Sequence, residues 1–150
     1  LHFVIIGGNM IVKIKVLKGG KKPEYKRMGD ACLDCYARIT CKSVWIPKGT
    51  RALIPLGFML ELPANYEAVV RPRSGLTSKY IDVAIGTCDE NYRGELMANV
   101  INNSGEDFVI SNGDRICQLA IRQAPTVYFE VVDKLSQTNR GDSGFGSTGI

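Results

Sequence analysis

The chain has 150 residues, 45% apolar and 23% charged, with a net charge of +4 from 19 basic and 15 acidic side chains. This suits one domain with a single core and excludes global disorder. The positive excess falls partly on Lys13, Lys15, Lys18, Lys21 and Lys22 without a basic block or a basic–aromatic repeat, so a solvated surface explains it better than a nucleic-acid groove.

Taken in chain order, Leu1 to Ile6 are apolar until Gly7-Gly8-Asn9 stops them. The run is too short to span a membrane and lacks the plan of a signal peptide. Met10 precedes a good strand, so residues 1–9 are either an upstream extension or a stretch added ahead of the natural start, and the sequence does not distinguish the two. Ile11 to Leu17 alternates with period two and predicts a half-buried strand. Further strands are predicted at Cys32–Thr40, Ser43–Ile46, Thr50–Leu56, Phe58–Leu62, Ala68–Arg71, Val83–Ile85, Glu95–Ile101, Phe108–Ile110, Arg115–Arg122 and Val127–Val132. Gly75 to Tyr80 is the one candidate for a short helix. Many short strands at regular spacing indicate a sandwich or barrel. The last stretch, 136–150, is rich in Gly and Ser and brings little to bury, so it reads as an arm outside the domain of residues 1–135.

Five cysteines leave at least one unpaired in any intramolecular scheme, which argues against a secreted disulfide framework and for a reducing, cytoplasmic-type compartment. Cys32 and Cys35 form a C-x-x-C, but on a strand their side chains point to opposite faces, a poor geometry for zinc.

Four segments could carry chemistry. In Arg71-Pro72-Arg73-Ser74-Gly75-Leu76, Arg73 can fork two N–H donors onto phosphate oxygens, Ser74 adds a hydroxyl, and Gly75 permits close backbone approach. Alone, it reads more simply as a loop with Ser74 capping a short helix. Gly86 to Gly94 reads as a hairpin between two apolar strands, with Asp89 supplying a carboxyl group and Tyr92 offering a flat face; alone, it is a plain turn. In Gly113-Asp114-Arg115-Ile116-Cys117-Gln118, Arg115 can pair with a carboxylate. Gln118 interrupts an apolar run, so it either finds a buried partner or faces water from an edge strand. Arg140 to Gly149 combines glycines, hydroxyls, one Arg and Phe145, a composition that can wrap phosphates or simply remain a solvated tail.

In this order, these segments resemble the motifs of the trimeric dUTPase family. A further match lies upstream, where Ala31-Cys32-Leu33-Asp34-Cys35-Tyr36-Ala37 is similar to Ala-Gly-x-Asp-Leu-x-Ala. The resemblance covers about residues 11–150. It departs at Cys32 for Gly, Cys35 for Leu and Cys88 for Ile. It implies an all-β, β-clip or jelly-roll-like barrel with a Gly-rich C-terminal arm. It also implies a dUTP diphosphatase that forms dUMP and pyrophosphate, limits dUTP and supplies dUMP for thymidylate synthesis. On this pattern Asp89 is the general base that activates water against the α-phosphorus. Tyr92 lies under the deoxyribose and excludes a 2′-hydroxyl. Backbone groups of Thr87, Cys88 and Asp89, and of the strand near Met97, read uracil. Arg73, Ser74, Gly75 and Gln118 hold the phosphates, and Asp34 touches a Mg²⁺ shell through water. Arg140, Phe145, Gly146, Ser147 and Thr148 form a lid, with Phe145 over the base. The family also implies a homotrimer with sites shared between subunits, cytoplasmic or, for a viral chain, in the host cytoplasm or nucleus, with no nucleic-acid or membrane partner.

Two rivals are weaker. A dCTP deaminase of similar fold needs a catalytic Glu where this chain has Asn99. A non-catalytic β module would have no use for the phosphate-binding and arm segments.

Overall fold

The computed structural model describes residues 5–6, 9–142 and 144. Their elements are β1 (Ile5–Ile6), β2 (Asn9–Met10), β3 (Lys13–Val16), β4 (Leu33–Tyr36), β5 (Ser43–Ile46), β6 (Arg51–Pro55), β7 (Phe58–Glu61), β8 (Tyr66–Arg71), α1 (Ser74–Thr77), β9 (Ile81–Val83), β10 (Gly86–Cys88), β11 (Met97–Asn102), β12 (Phe108–Ser111) and β13 (Arg115–Gln123). The fold is nearly all β, as the spacing of short apolar runs predicts. All ladders are antiparallel. One sheet runs β10-β8-β13-β4 and another β6-β11-β9, while β12-β5, β3-β7 and β1-β2 are two-stranded.

Period-two burial explains the layers. In β11, Ala98, Val100 and Asn102 point inward, while Met97, Asn99 and Ile101 are half-buried. In β7, Phe58 and Leu60 point inward. Together with Ile46, Ile54, Leu56, Ile110, Ile116 and Leu119 they form the core. Each fully buried aliphatic or Phe side chain contributes about 1.5–3 kcal/mol. β13 has a bulge between Arg115 and Cys117, which lets the consecutive residues Ile116 and Cys117 both face inward. The buried polar residue Asn102 is fully engaged: its Nδ2 donates to the carbonyls of Ile46 (2.9 Å) and Glu106 (2.8 Å), and its Oδ1 accepts from Ser104.

Three sequence expectations need correction. Gly86–Gly94 does not close a hairpin. β10 pairs with β8, whereas β11 pairs with β6 and β9, so the strands flanking the turn belong to different sheets. The apolar run on each side has a better partner elsewhere, and the two strands part around a cleft. Second, Val127–Val132 forms no strand. Pro125 removes a ladder donor just after β13. Beyond it, Val127, Phe129 and Val131 stand 67%, 92% and 97% exposed. Third, the strand expected at Val83–Ile85 lies two residues earlier, over Ile81–Val83, because Ile81 and Val83 supply the inward pair.

Candidate active site

Two groups of polar residues stand out, centred on the two edge strands, β4 and β10, of the sheet β10-β8-β13-β4. The first gathers where β4, β13 and the loop after β8 meet. Asp34 on β4 lies opposite Gln118 on β13, which in turn lies opposite Arg71 on β8. The Asp34 side chain is 14% exposed; its Oδ1 accepts from Arg73 Nε at 3.2 Å and its Oδ2 from Arg115 Nη1 at 3.1 Å. Arg73 also donates through Nη1 to the carbonyl of Arg115 at 2.9 Å. Gln118 donates through Nε2 to the Pro72 carbonyl at 2.7 Å. β13 is interior to its sheet, so Gln118 is a half-buried, partnered residue and not a water-facing one on an edge strand.

Beyond Pro72 the chain turns into α1. Arg73, not Ser74, takes the N-cap position, and no side-chain cap bond is made there. Ser74 and Gly75 are exposed. A Cβ at Gly75 would meet no atom within 4 Å, so the packing of this chain gives no reason for a glycine there.

The second group surrounds a cleft of about 180 Å³ between β10 and β11. Gly86, Thr87, Cys88 and Asp89 form one wall, Leu96 and Met97 the other, and Val70, Tyr92 and Glu95 complete it. The parting of the two strands makes this cleft. Asp89 is exposed at its rim. Burial, helped by the charge of Asp89, raises the Cys88 thiol, so Cys88 acts as a small neutral wall. Burial and, first, a hydrogen bond with Cys117 do the same at Cys35, and all five cysteines are free thiols.

Tyr92 is set by its neighbours. Its N–H donates to the Asp89 carbonyl at 3.1 Å, and its hydroxyl donates to the Glu95 carbonyl at 3.2 Å. Arg93 closes the turn through Nη1 to the carbonyls of Glu90 (2.7 Å) and Tyr92 (3.0 Å). The carboxylate of Glu95 is gripped by Arg38, with Nε to Oε1 at 2.7 Å and Nη2 to Oε2 at 2.6 Å. Sequence reading missed this pair. Nothing in Glu95 itself signals a partner 57 positions away in the chain.

The sequence-derived residues therefore fall into two sets. Asp34, Arg73, Ser74, Gly75 and Gln118 belong to the first place; Thr87, Cys88, Asp89, Tyr92 and Met97 belong to the second. Arg140 is exposed, beside a turn in which Gly141 N–H donates to the Thr138 carbonyl at 3.2 Å. Phe145, Gly146, Ser147 and Thr148 lie outside the described residues. The strand order separates the two sets: Cys88 lies on the edge strand β10 beside the cleft, whereas Asp34, held by Arg73 and Arg115, lies on the opposite edge strand β4. Three strand spacings of about 4.8 Å put β10 and β4 on the order of 15 Å apart across the sheet.

The dUTPase family model matches residues 19–149. The chain belongs to the dUTPase family. The deoxyuridine 5'-triphosphate nucleotidohydrolase of Treponema denticola is 46% identical over 94% of this chain and 99% of its own length. The dUTPase of Staphylococcus bacteriophage 80alpha, solved with dUPNHPP, superposes with a TM-score of 0.86 at 25% identity, covering 93% of this chain and 99% of that one. A dUTPase from phage phi11 of S. aureus, described with a structural Mg(II) ion, has the same fold (TM-score 0.76, 21% identity, 85% and 99% covered). This dUTPase is a dUTP diphosphatase, a nucleotide hydrolase.

Proposed function

We propose that dUTP is hydrolysed at a site assembled from more than one copy of the chain, with Asp89 directing a water onto the α-phosphorus. The observation that carries this reading is a separation across the sheet β10-β8-β13-β4: the base-sized cleft lies along the edge strand β10, and the phosphate-type cluster centres on Asp34 of the opposite edge strand β4. Closing a homotrimer brings the cleft of one subunit to the Arg73 cluster of a neighbour. The exposed run Val127–Val132 supports assembly, because such β-prone apolar chain is normally covered.

In this reading the cleft receives uracil. The backbone groups of Thr87, Cys88 and Asp89, with those near Met97, read the base edge. The narrow walls exclude a thymine methyl group. Tyr92 stacks against the deoxyribose and leaves no space for a 2′-hydroxyl. Arg73, Ser74 and Gln118 donate to phosphate oxygens, and Gly75 lets the backbone approach them. The work of Asp89 is mainly to hold the water in line. The arm of Arg140, Phe145, Gly146, Ser147 and Thr148, a segment distinct from the domain of residues 1–135, closes over the nucleotide and excludes bulk water.

Among the described residues no group of three or more acidic, Cys or His side chains could hold a metal ion. Asp34 already shares its carboxylate between two arginines. That donor set fits Mg²⁺ carried by the substrate phosphates and met by Asp34 through water. When bound, Mg²⁺ would neutralise charge on the triphosphate. No helix among the described residues is long and apolar enough to cross a membrane, and a cytoplasmic setting suits a nucleotide substrate.

A pyrophosphate-release assay across dUTP, UTP, dCTP and dTTP, with and without Mg²⁺, tests the reading. Release from dUTP alone, requiring Mg²⁺, is expected. Comparable release from UTP or dTTP, or full activity in a chelator, would overturn the site assignment.

A further inference from the structure

We infer that Arg38 and Glu95 form a positioning pair that fixes the ring of Tyr92 and thereby sets discrimination against ribonucleotides. The inference rests on the sugar-stacking role proposed for Tyr92. Residues 89–93 are exposed, and the turn needs an anchor. Glu95 supplies it. Its carboxylate accepts three N–H donors: Arg38 Nε, Arg38 Nη2 and the backbone N–H of Gly57 at 2.8 Å. The two side chains are 20% and 19% exposed, which makes the pair partly desolvated.

The support under Glu95 is stiff. Gly57 has φ +78°, and a Cβ there would lie 2.4 Å from Gly20 Cα and 3.0 Å from Arg38 Cδ. A Cβ on Gly20 would lie 2.2 Å from the Gly57 carbonyl oxygen. Two backbones in van der Waals contact thus hold the Gly57 N–H in place, and Arg38 N–H adds a bond to the Pro55 carbonyl at 2.8 Å. Glu95 passes this rigidity on. Its own carbonyl accepts the Tyr92 hydroxyl at 3.2 Å. Gly94 leaves the space the ring occupies, since a Cβ there would meet Tyr92 Oη at 2.2 Å and Cζ at 2.4 Å. A half-buried ion pair is a weak source of stability compared with apolar packing. What the planar arginine fork adds is orientation.

The test measures kcat/KM for dUTP and for UTP in Arg38→Lys, Glu95→Gln and Tyr92→Ala, with a thermal melt for each. Lysine keeps the charge and loses the fork; glutamine keeps the shape and loses the charge. Both folded variants are expected to lower the dUTP-over-UTP ratio about tenfold, chiefly through KM, as Tyr92→Ala also should. If Glu95→Gln does not fold, Arg38→Lys decides alone. Folded Arg38→Lys retaining the parent ratio while Tyr92→Ala loses it would overturn the inference and leave the role of Tyr92 standing. An unchanged ratio in Tyr92→Ala would remove the sugar role itself, and this inference with it.

Discussion

Arg73 reaches from the loop after β8 to the carboxylate of Asp34 on β4, with 3.2 Å between Nε and Oδ1. Arg115 takes the other oxygen of Asp34 at 3.1 Å and offers its carbonyl to Arg73 at 2.9 Å. Thus Asp34 and Arg115 together aim the guanidinium of Arg73. Arg115→Ala should leave the fold intact, costing less than about 1 kcal/mol because its side chain is nearly half exposed. It should raise KM for dUTP about tenfold by loosening Arg73. Steady-state kinetics and a denaturant titration check both parts.

Asp89 lines the rim of the cleft and is exposed. Asp89→Asn should keep the melting temperature and nucleotide affinity while lowering kcat by about 10²–10⁴. Calorimetric titration with a non-hydrolysable dUTP analogue, beside single-turnover kinetics, separates binding from turnover.

Gly75 has open space where a Cβ would stand. Gly75→Ala should be neutral or slightly stabilising, by a few tenths of a kcal/mol, through the lost freedom of the unfolded chain. If the phosphates approach this backbone, KM for dUTP should nonetheless rise at least about fivefold, equivalent to roughly 1 kcal/mol. A stable variant with unaltered KM would move the phosphates away from Gly75.

Glu95 is held below its ordinary value of 4.5, first by the hydrogen bonds from Arg38, then by the backbone N–H of Gly57 and the arginine's charge, against some desolvation. A depressed carboxylate stabilises the fold above its unfolded pKa, and that contribution fades as pH falls through the folded value. Glu95→Gln should therefore cost about 2 kcal/mol near neutrality. The difference from the parent protein should begin to shrink as pH falls below 4.5 and vanish once pH passes the lower folded value, where the folded parent also loses the charge. Thermal melts at several pH values test the sign.

Much of this was legible in the sequence because the local signals are strong. Ser43–Ile46 matches its predicted bounds, and the alternation in Ile11–Leu17 marks β3. The polar Gln118 inside an apolar run left two readings open, a buried partner or a water-facing edge strand, and the bond to Pro72 decides for the first. Pairing was less legible. An apolar strand beside a turn does not say which edge it will join, so the parting of β10 from β11 was invisible. Val127–Val132 has the composition of a strand, but its chain alone provides no ladder for it. Arg38 and Glu95 meet only through tertiary folding.

The claim that the site is shared between copies is tested most directly by mixing two inactive variants. Asp89→Asn and Arg73→Ala chains, each inactive alone, should regain part of the dUTP turnover when co-expressed and co-purified, because some assembled sites then combine an intact Asp89 with an intact Arg73. Mixed assemblies that stay as inactive as either variant would place both residues in the same chain's site and contradict the account.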